Sequence, residues 1–281
     1  MNASKEQSLR ANAAQWGVIA ASFSIAFCIQ VVIHEMGHCL AGYAVGATGA
    51  QVRLHPFLNA NVMFTHVPEG MAQPIIGMMG ITADLMLASI AGLLVWKRQA
   101  VVWLPVLLWG AIAFIGEGVG MLESLGTYPE YRDDITQWIP LGLPPAWIAT
   151  VSVLLVVIGL VWLALVLPTA GLSPEASFPQ RFPAYFFSLP FYFLMAIAYI
   201  LVIRPDKQGI LPVRLSQMAI SLVFTLLLAL FHKPIHRLSK RFVRPRRQNR
   251  PDLRDAIPLG VAAIVVLILL IGTTTVSWGT L

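Results

Sequence analysis

The chain has 281 residues, 57% of them apolar and only 11% charged, with a mean hydropathy of +0.75. A soluble globular domain carries about 25% charged residues, so this composition excludes that class and points to an all-α polytopic membrane protein. The net charge of +6 is concentrated rather than spread, with nine of the nineteen Lys and Arg between Lys233 and Arg254, and it suits anionic lipid headgroups better than nucleic acid.

Seven stretches are long enough to cross a hydrocarbon core of about 30 Å: residues 14–46, 74–96, 100–122, 146–168, 183–204, 211–232 and 256–278. The first is overlong, so its far end leaves the membrane or the helix tilts. It is also too long for a cleavable signal peptide and is expected to stay in the mature protein. Inside it lies His34-Glu35-Met36-Gly37-His38, the H-E-x-x-H pattern. On a helix the two imidazoles, four residues apart, face one way and can share one metal ion, with Glu35 as neighbour. Two His and a Glu are costly in hydrocarbon unless they face a cavity or bind something. The two cysteines, Cys28 and Cys39, stand about 16 Å apart along this helix and are too distant for a disulfide.

Between the first two spans, residues 52–67 mix β-branched, aromatic and polar side chains around Asn59-Ala60-Asn61, which predicts a short β-hairpin. An exposed hairpin edge can hold an extended peptide through backbone hydrogen bonds. Small-residue pairs at Gly42/Gly46 and Gly116/Gly120 read as close helix packing.

A catalytic zinc takes three protein ligands and keeps a fourth position open, so His34 and His38 need a partner. The intramembrane or near-membrane carboxylates available are Asp84, Glu117, Glu123, Asp133 and Asp134. They all lie in residues 1–145, which therefore read as a three-span working core. Residues 146–281 read as an accessory four-span bundle with a basic loop at 233–254.

From these residues the chain resembles the site-2 protease family of intramembrane zinc metalloproteases, and most closely its short, divergent bacterial branch. The resemblance covers about residues 13–147. It rests on His34-Glu35-x-x-His38 in a span, on Gly80-Ile81-Thr82-Ala83-Asp84 where the family has Gly-Pro-x-x-Asn, and on Asp133 ahead of Gly142-Leu143-Pro144. It departs from the family with Ile81 for Pro, Asp84 for Asn, and Ile135 where Gly follows the family's Asp. What it implies is one Zn2+ per chain held by His34, His38 and Asp133, with Glu35 as general base and then acid. Asp84 would be a second-shell or substrate-binding residue. The substrate would be a transmembrane protein or peptide, cut within or near its membrane segment, and the location a bacterial inner membrane.

Two other classes compete. His232 and His236 make a second H-x-x-x-H pair, as in membrane di-iron oxygenases, but six His in the whole chain are too few for an eight-His cage. A span end among lipid headgroups is the simpler setting for that pair. A non-proteolytic metal-binding protein or transporter would more often show internal repeats or broken helices. Finally, the positive-inside rule places the N-terminus and the basic loop in the cytoplasm, which puts His34 and His38 toward the outer end of their span.

Overall fold

The structure, a computed structural model, describes residues 3–58, 60–98, 100–129, 134–239, 251–272 and 276–277. Among these, the α-helices are α1 (Ala3–Ala44), α2 (Ala72–Val95), α3 (Leu104–Thr127), α4 (Pro145–Val166), α5 (Phe178–Ser188), α6 (Pro190–Val202), α7 (Leu211–Ser239) and α8 (Leu253–Gly272). Three short strands join them: β1 (Gln51–Arg53), β2 (Asn61–Met63) and β3 (Val276–Ser277). Six helical segments among the described residues are long and apolar enough to cross a membrane, or seven if the α5–α6 pair is one broken span. The fold is that of a helical integral membrane protein with a short hairpin after its first span.

The Asn12–Ala44 portion of α1 has 33 residues, about 50 Å at 1.5 Å per residue. That exceeds the hydrocarbon core, so α1 tilts or stands proud of it. The expected span at 183–204 is not one helix. α5 and α6 meet at 47° around Leu189, whose φ −131° and ψ −72° are non-helical. Pro190 follows, and a proline both lacks the N–H for the ladder and pushes the residue before it out of the helical region.

α3 is the most enclosed span, with 72% of its apolar window buried, against 11% for α8. It packs tightly on α4 because small residues face backbone. A Cβ on Gly118 would lie 2.6 Å from the Ser152 carbonyl oxygen, and one on Gly159 would lie 2.8 Å from that of Ala111. The main core draws on both halves of the chain, from Ile19 and Phe23 on α1 through Leu107 and Leu108 to Leu163, Tyr185, Tyr192 and Leu228. Large apolar residues left exposed, such as Leu94, Val202 and Ile268, give the lipid-facing surface.

The sheet has the order β2-β1-β3. β1 pairs antiparallel with β2, Val52 opposite Val62, and on its other edge with β3, Val52 opposite Val276. The hairpin link is residues 54–60, since Asn61 already pairs with Arg53; Asn59 lies outside the described residues. The link is clamped by the accessory helices. Tyr192 Oη donates to the Pro56 carbonyl, and Arg214 donates to the carbonyls of Phe57 at 3.2 Å and Leu58 at 2.8 Å. His55 Nε2 lies 3.2 Å from Tyr199 Oη. Burial, with the Arg204 and Arg214 charges nearby, depresses the His55 pKa to about 4. The hairpin, the 134–144 segment, the α6–α7 turn and β3 thus share one end of the molecule. α7 starts at that end, where Arg214 meets the hairpin link, and its 29 residues run toward the other.

Candidate metal centre

His34 and His38 sit one turn apart on α1, with ring centroids 4.6 Å apart. Their Nε2 atoms approach to 2.9 Å. Among the described residues, the carboxylate that joins them is Asp134, whose Oδ2 lies 3.3 Å from His34 Nε2 and 3.4 Å from His38 Nε2. Asp133, to which the family resemblance points, lies outside the described residues.

Each ring is fixed through its other nitrogen. His38 Nδ1 lies 2.7 Å from the carbonyl oxygen of Ile76, which only accepts, so Nδ1 carries the hydrogen and Nε2 presents its lone pair. His34 Nδ1 lies 2.9 Å from Glu117 Oε1. Metal-bound imidazoles are typically oriented by such outward bonds to a carbonyl and a carboxylate. The three inward atoms are then all electron-rich, and packed at 2.9 to 3.4 Å they repel one another unless a positive centre lies between. For a tetrahedral ion with bonds of about 2.0 Å, neighbouring ligand atoms stand about 3.3 Å apart. The donor set therefore fits zinc in both chemistry and spacing.

Glu35 is 6% exposed, between the two histidines on the same helix. Its Oε2 is buried with no hydrogen-bond partner among the described residues. A buried carboxylate oxygen without a partner is expensive in a folded structure unless it has a use.

α2 and the segment before α4 bring the rest into place. Ile135 is 2% exposed and packs with Ile81, Met121 and Ile148, and Trp138 Nε1 donates to the Pro74 carbonyl at 3.0 Å. Together they anchor the chain just after Asp134 against α2 and its neighbours. Two glycines permit the approach. A Cβ on Gly80 would lie 2.4 Å from the His38 ring, and one on Gly77 would lie 2.6 Å from the Asp134 carbonyl oxygen. Gly77 escapes a reading of the sequence, although its spacing from Gly80 marks one small-residue face of α2. Of the glycines expected to serve packing, Gly42 lies under the Phe64 ring and Gly116 against Gln30, whereas Gly46 is a turn residue with φ +86° and Gly120 faces open space.

The remaining candidates separate. Asp84 is fully buried and accepts a 2.8 Å hydrogen bond from Trp109 Nε1, so it is sealed between α2 and α3. Glu117 bonds His34, while Glu123 lies 3.4 Å from Gln217. His232 and His236 turn inward instead of toward lipid headgroups. His232 uses both nitrogens, at 2.8 Å to Tyr185 Oη and 2.9 Å to the Ser173 carbonyl. It has no nitrogen left for a metal.

Fold and site together define a helical membrane protein with a His-His-Asp cluster held among its first helices and the segment before α4. Comparison with protein-family models, with curated proteins and with solved structures found no match to the chain.

Proposed function

We propose that this chain is a zinc-dependent intramembrane endopeptidase that cleaves a membrane-protein substrate within or near a transmembrane segment, as members of the site-2 protease family do. The observation that carries the reading is the convergence of His34 Nε2, His38 Nε2 and Asp134 Oδ2 within 3.4 Å of one another beside a buried, unpartnered Glu35 oxygen. Those three atoms would hold one zinc ion. When bound, zinc would supply Lewis acidity, activating a water near neutral pH and polarising the scissile carbonyl.

The other steps belong to the chain. Glu35 takes the proton from the attacking water and delivers it to the departing amine. The site is more open on the Asp134 side, where the side chain is 29% exposed, than behind His34, where Glu117 is 8% exposed. Substrate therefore enters from the hairpin end. A helical substrate has its carbonyls locked in hydrogen bonds and must unwind to be cut. The outer edge of β2 offers backbone groups to an extended strand, because β3 already takes the far edge of β1.

The test is Glu35→Gln. Cleavage of transmembrane-segment peptides in liposomes is expected to vanish while the protein keeps one zinc per chain; cleavage that persists overturns the mechanism. By the positive-inside rule the basic 233–254 connection faces the cytoplasm, in a bacterial inner membrane, and the metal centre opens to the opposite side. Cysteines 28 and 39 are buried and leave little background for labelling. A membrane-impermeant thiol reagent is expected to reach Glu69→Cys from outside the cell and Arg241→Cys only after lysis.

A further inference from the structure

We propose that Glu117, backed by Asp84 and Trp109, is the positioning residue that sets His34 as a metal ligand, so that the strength of the centre is built on α2 and α3, outside the H-E-x-x-H segment. This rests on the metal-centre reading above and adds to it the residues that tune the site.

The groups form one buried line. Trp109 Nε1 donates to Asp84 Oδ1 at 2.8 Å, carboxylate oxygens of Asp84 and Glu117 and a nitrogen of His34 lie within 4.8 Å of one another, and Glu117 Oε1 meets His34 Nδ1 at 2.9 Å. Trp109 and Glu117 stand eight residues apart on α3, a little over two turns, and so share the face that looks at α1 and α2. Exposure falls to 7%, 0% and 6% for Trp109, Asp84 and Glu117. Two buried carboxyl groups behind one imidazole, Asp84 on α2 and Glu117 on α3, are a costly way to fill space where leucine or alanine would pack without penalty. Packing does not call for them, and His34 is the group they converge on.

The two ligand histidines are also wired differently. His38 leans on a neutral backbone carbonyl, whereas His34 leans on a carboxylate. A carboxylate partner fixes the ring orientation and the Nδ1–H tautomer, and it makes Nε2 a stronger donor to a metal. Asp84, held by Trp109, lies behind Glu117 within 4.8 Å of it and so takes the space on that side. The asymmetry makes the carboxylate side the dominant one.

The experiment uses the full chain purified in detergent, titrated with zinc and with cobalt(II) against a competing chelator. Glu117→Gln keeps size and shape while removing the charge. It is expected to weaken zinc binding about 10- to 100-fold and to shift the visible absorption of the cobalt-loaded protein. Trp109→Phe, which leaves Asp84 without its donor, is expected to weaken binding by a smaller factor in the same direction. Affinity and cobalt spectrum both unchanged in Glu117→Gln would overturn the proposal. So would a variant that only unfolds more easily while its affinity holds, which would reduce Glu117 to packing. Two metal ions per wild-type chain, the second lost in Glu117→Gln, would make these residues a second metal site and overturn the positioning role. A wild-type chain that takes up neither ion brings down the metal-centre reading itself, a result distinct from all three.

Discussion

The chain carries the same spacing twice, and the two copies do opposite things. His34/His38 and His232/His236 have ring centroids 4.6 Å and 4.5 Å apart, with interplanar angles of 82° and 66°. Both pairs point into the helix bundle, and neither spacing nor ring geometry tells them apart. The difference lies in the other nitrogen. In the first pair Nδ1 of each ring is spent on an outward acceptor and both Nε2 atoms meet Asp134 Oδ2. In the second, His232 spends one nitrogen on Tyr185 and the other on Ser173 and so ties α7 to α5 and to the segment before it. The first arrangement satisfies one nitrogen per ring and leaves the other facing a shared point, as metal-binding histidines are usually held, and the second does not.

The comparison breaks most sharply at the ligands. His34→Ala or His38→Ala is expected to lower zinc affinity by more than about 100-fold, beyond the usual cost of losing an outer partner. Asp134→Ala is expected to follow closely, while His236→Ala leaves one zinc per chain. Metal analysis of the purified variants checks all four. Zinc lost in Asp133→Ala but kept in Asp134→Ala would return the third ligand to the residue that the family resemblance favours. A smaller effect, about tenfold, is expected from Gly80→Ala, whose methyl would sit 2.4 Å from the His38 ring and force it off its line. Gly120→Ala, with open space around it, should leave the affinity unchanged, and a chelator titration of the pair separates ring displacement from general loss of helix flexibility.

Much of this was legible in the sequence because it is local. Membrane spans follow from runs of apolar residues, the hairpin from alternating residues around a turn, and the shared face of His34 and His38 from the helical repeat. The third ligand is not local. Asp133 and Asp134 are adjacent, and which one the segment aims at α1 depends on anchors such as Ile135 against Ile81, Met121 and Ile148. Glu117 is one acid in an apolar helix with no pattern around it, and its meaning appears only when His34, 83 residues earlier, lies beside it. Gly77 is silent until it meets Asp134, and β3 until it meets β1. The α5–α6 break had a local signal in Pro190, but the unbroken apolar composition masked it.

His232→Ala sharpens the comparison from the other side, because its expected effect on the metal is none. The substitution leaves Tyr185 Oη and the Ser173 carbonyl without their partner in a place where His232 and Tyr185 are both fully buried. An orphaned buried polar group costs about 1–3 kcal/mol, so the variant should unfold at lower denaturant in detergent while binding zinc with wild-type affinity. Zinc held as proposed, by the folded state alone, should at 100 times its dissociation constant stabilise the variant and the wild type alike, by about 2.7 kcal/mol. That equal increment is the diagnostic. If zinc stabilises the His232 variant less than the wild type, the second pair contributes to the metal centre or to its coupling with the bundle. The two pairs would then be one system rather than a ligand set and a strut.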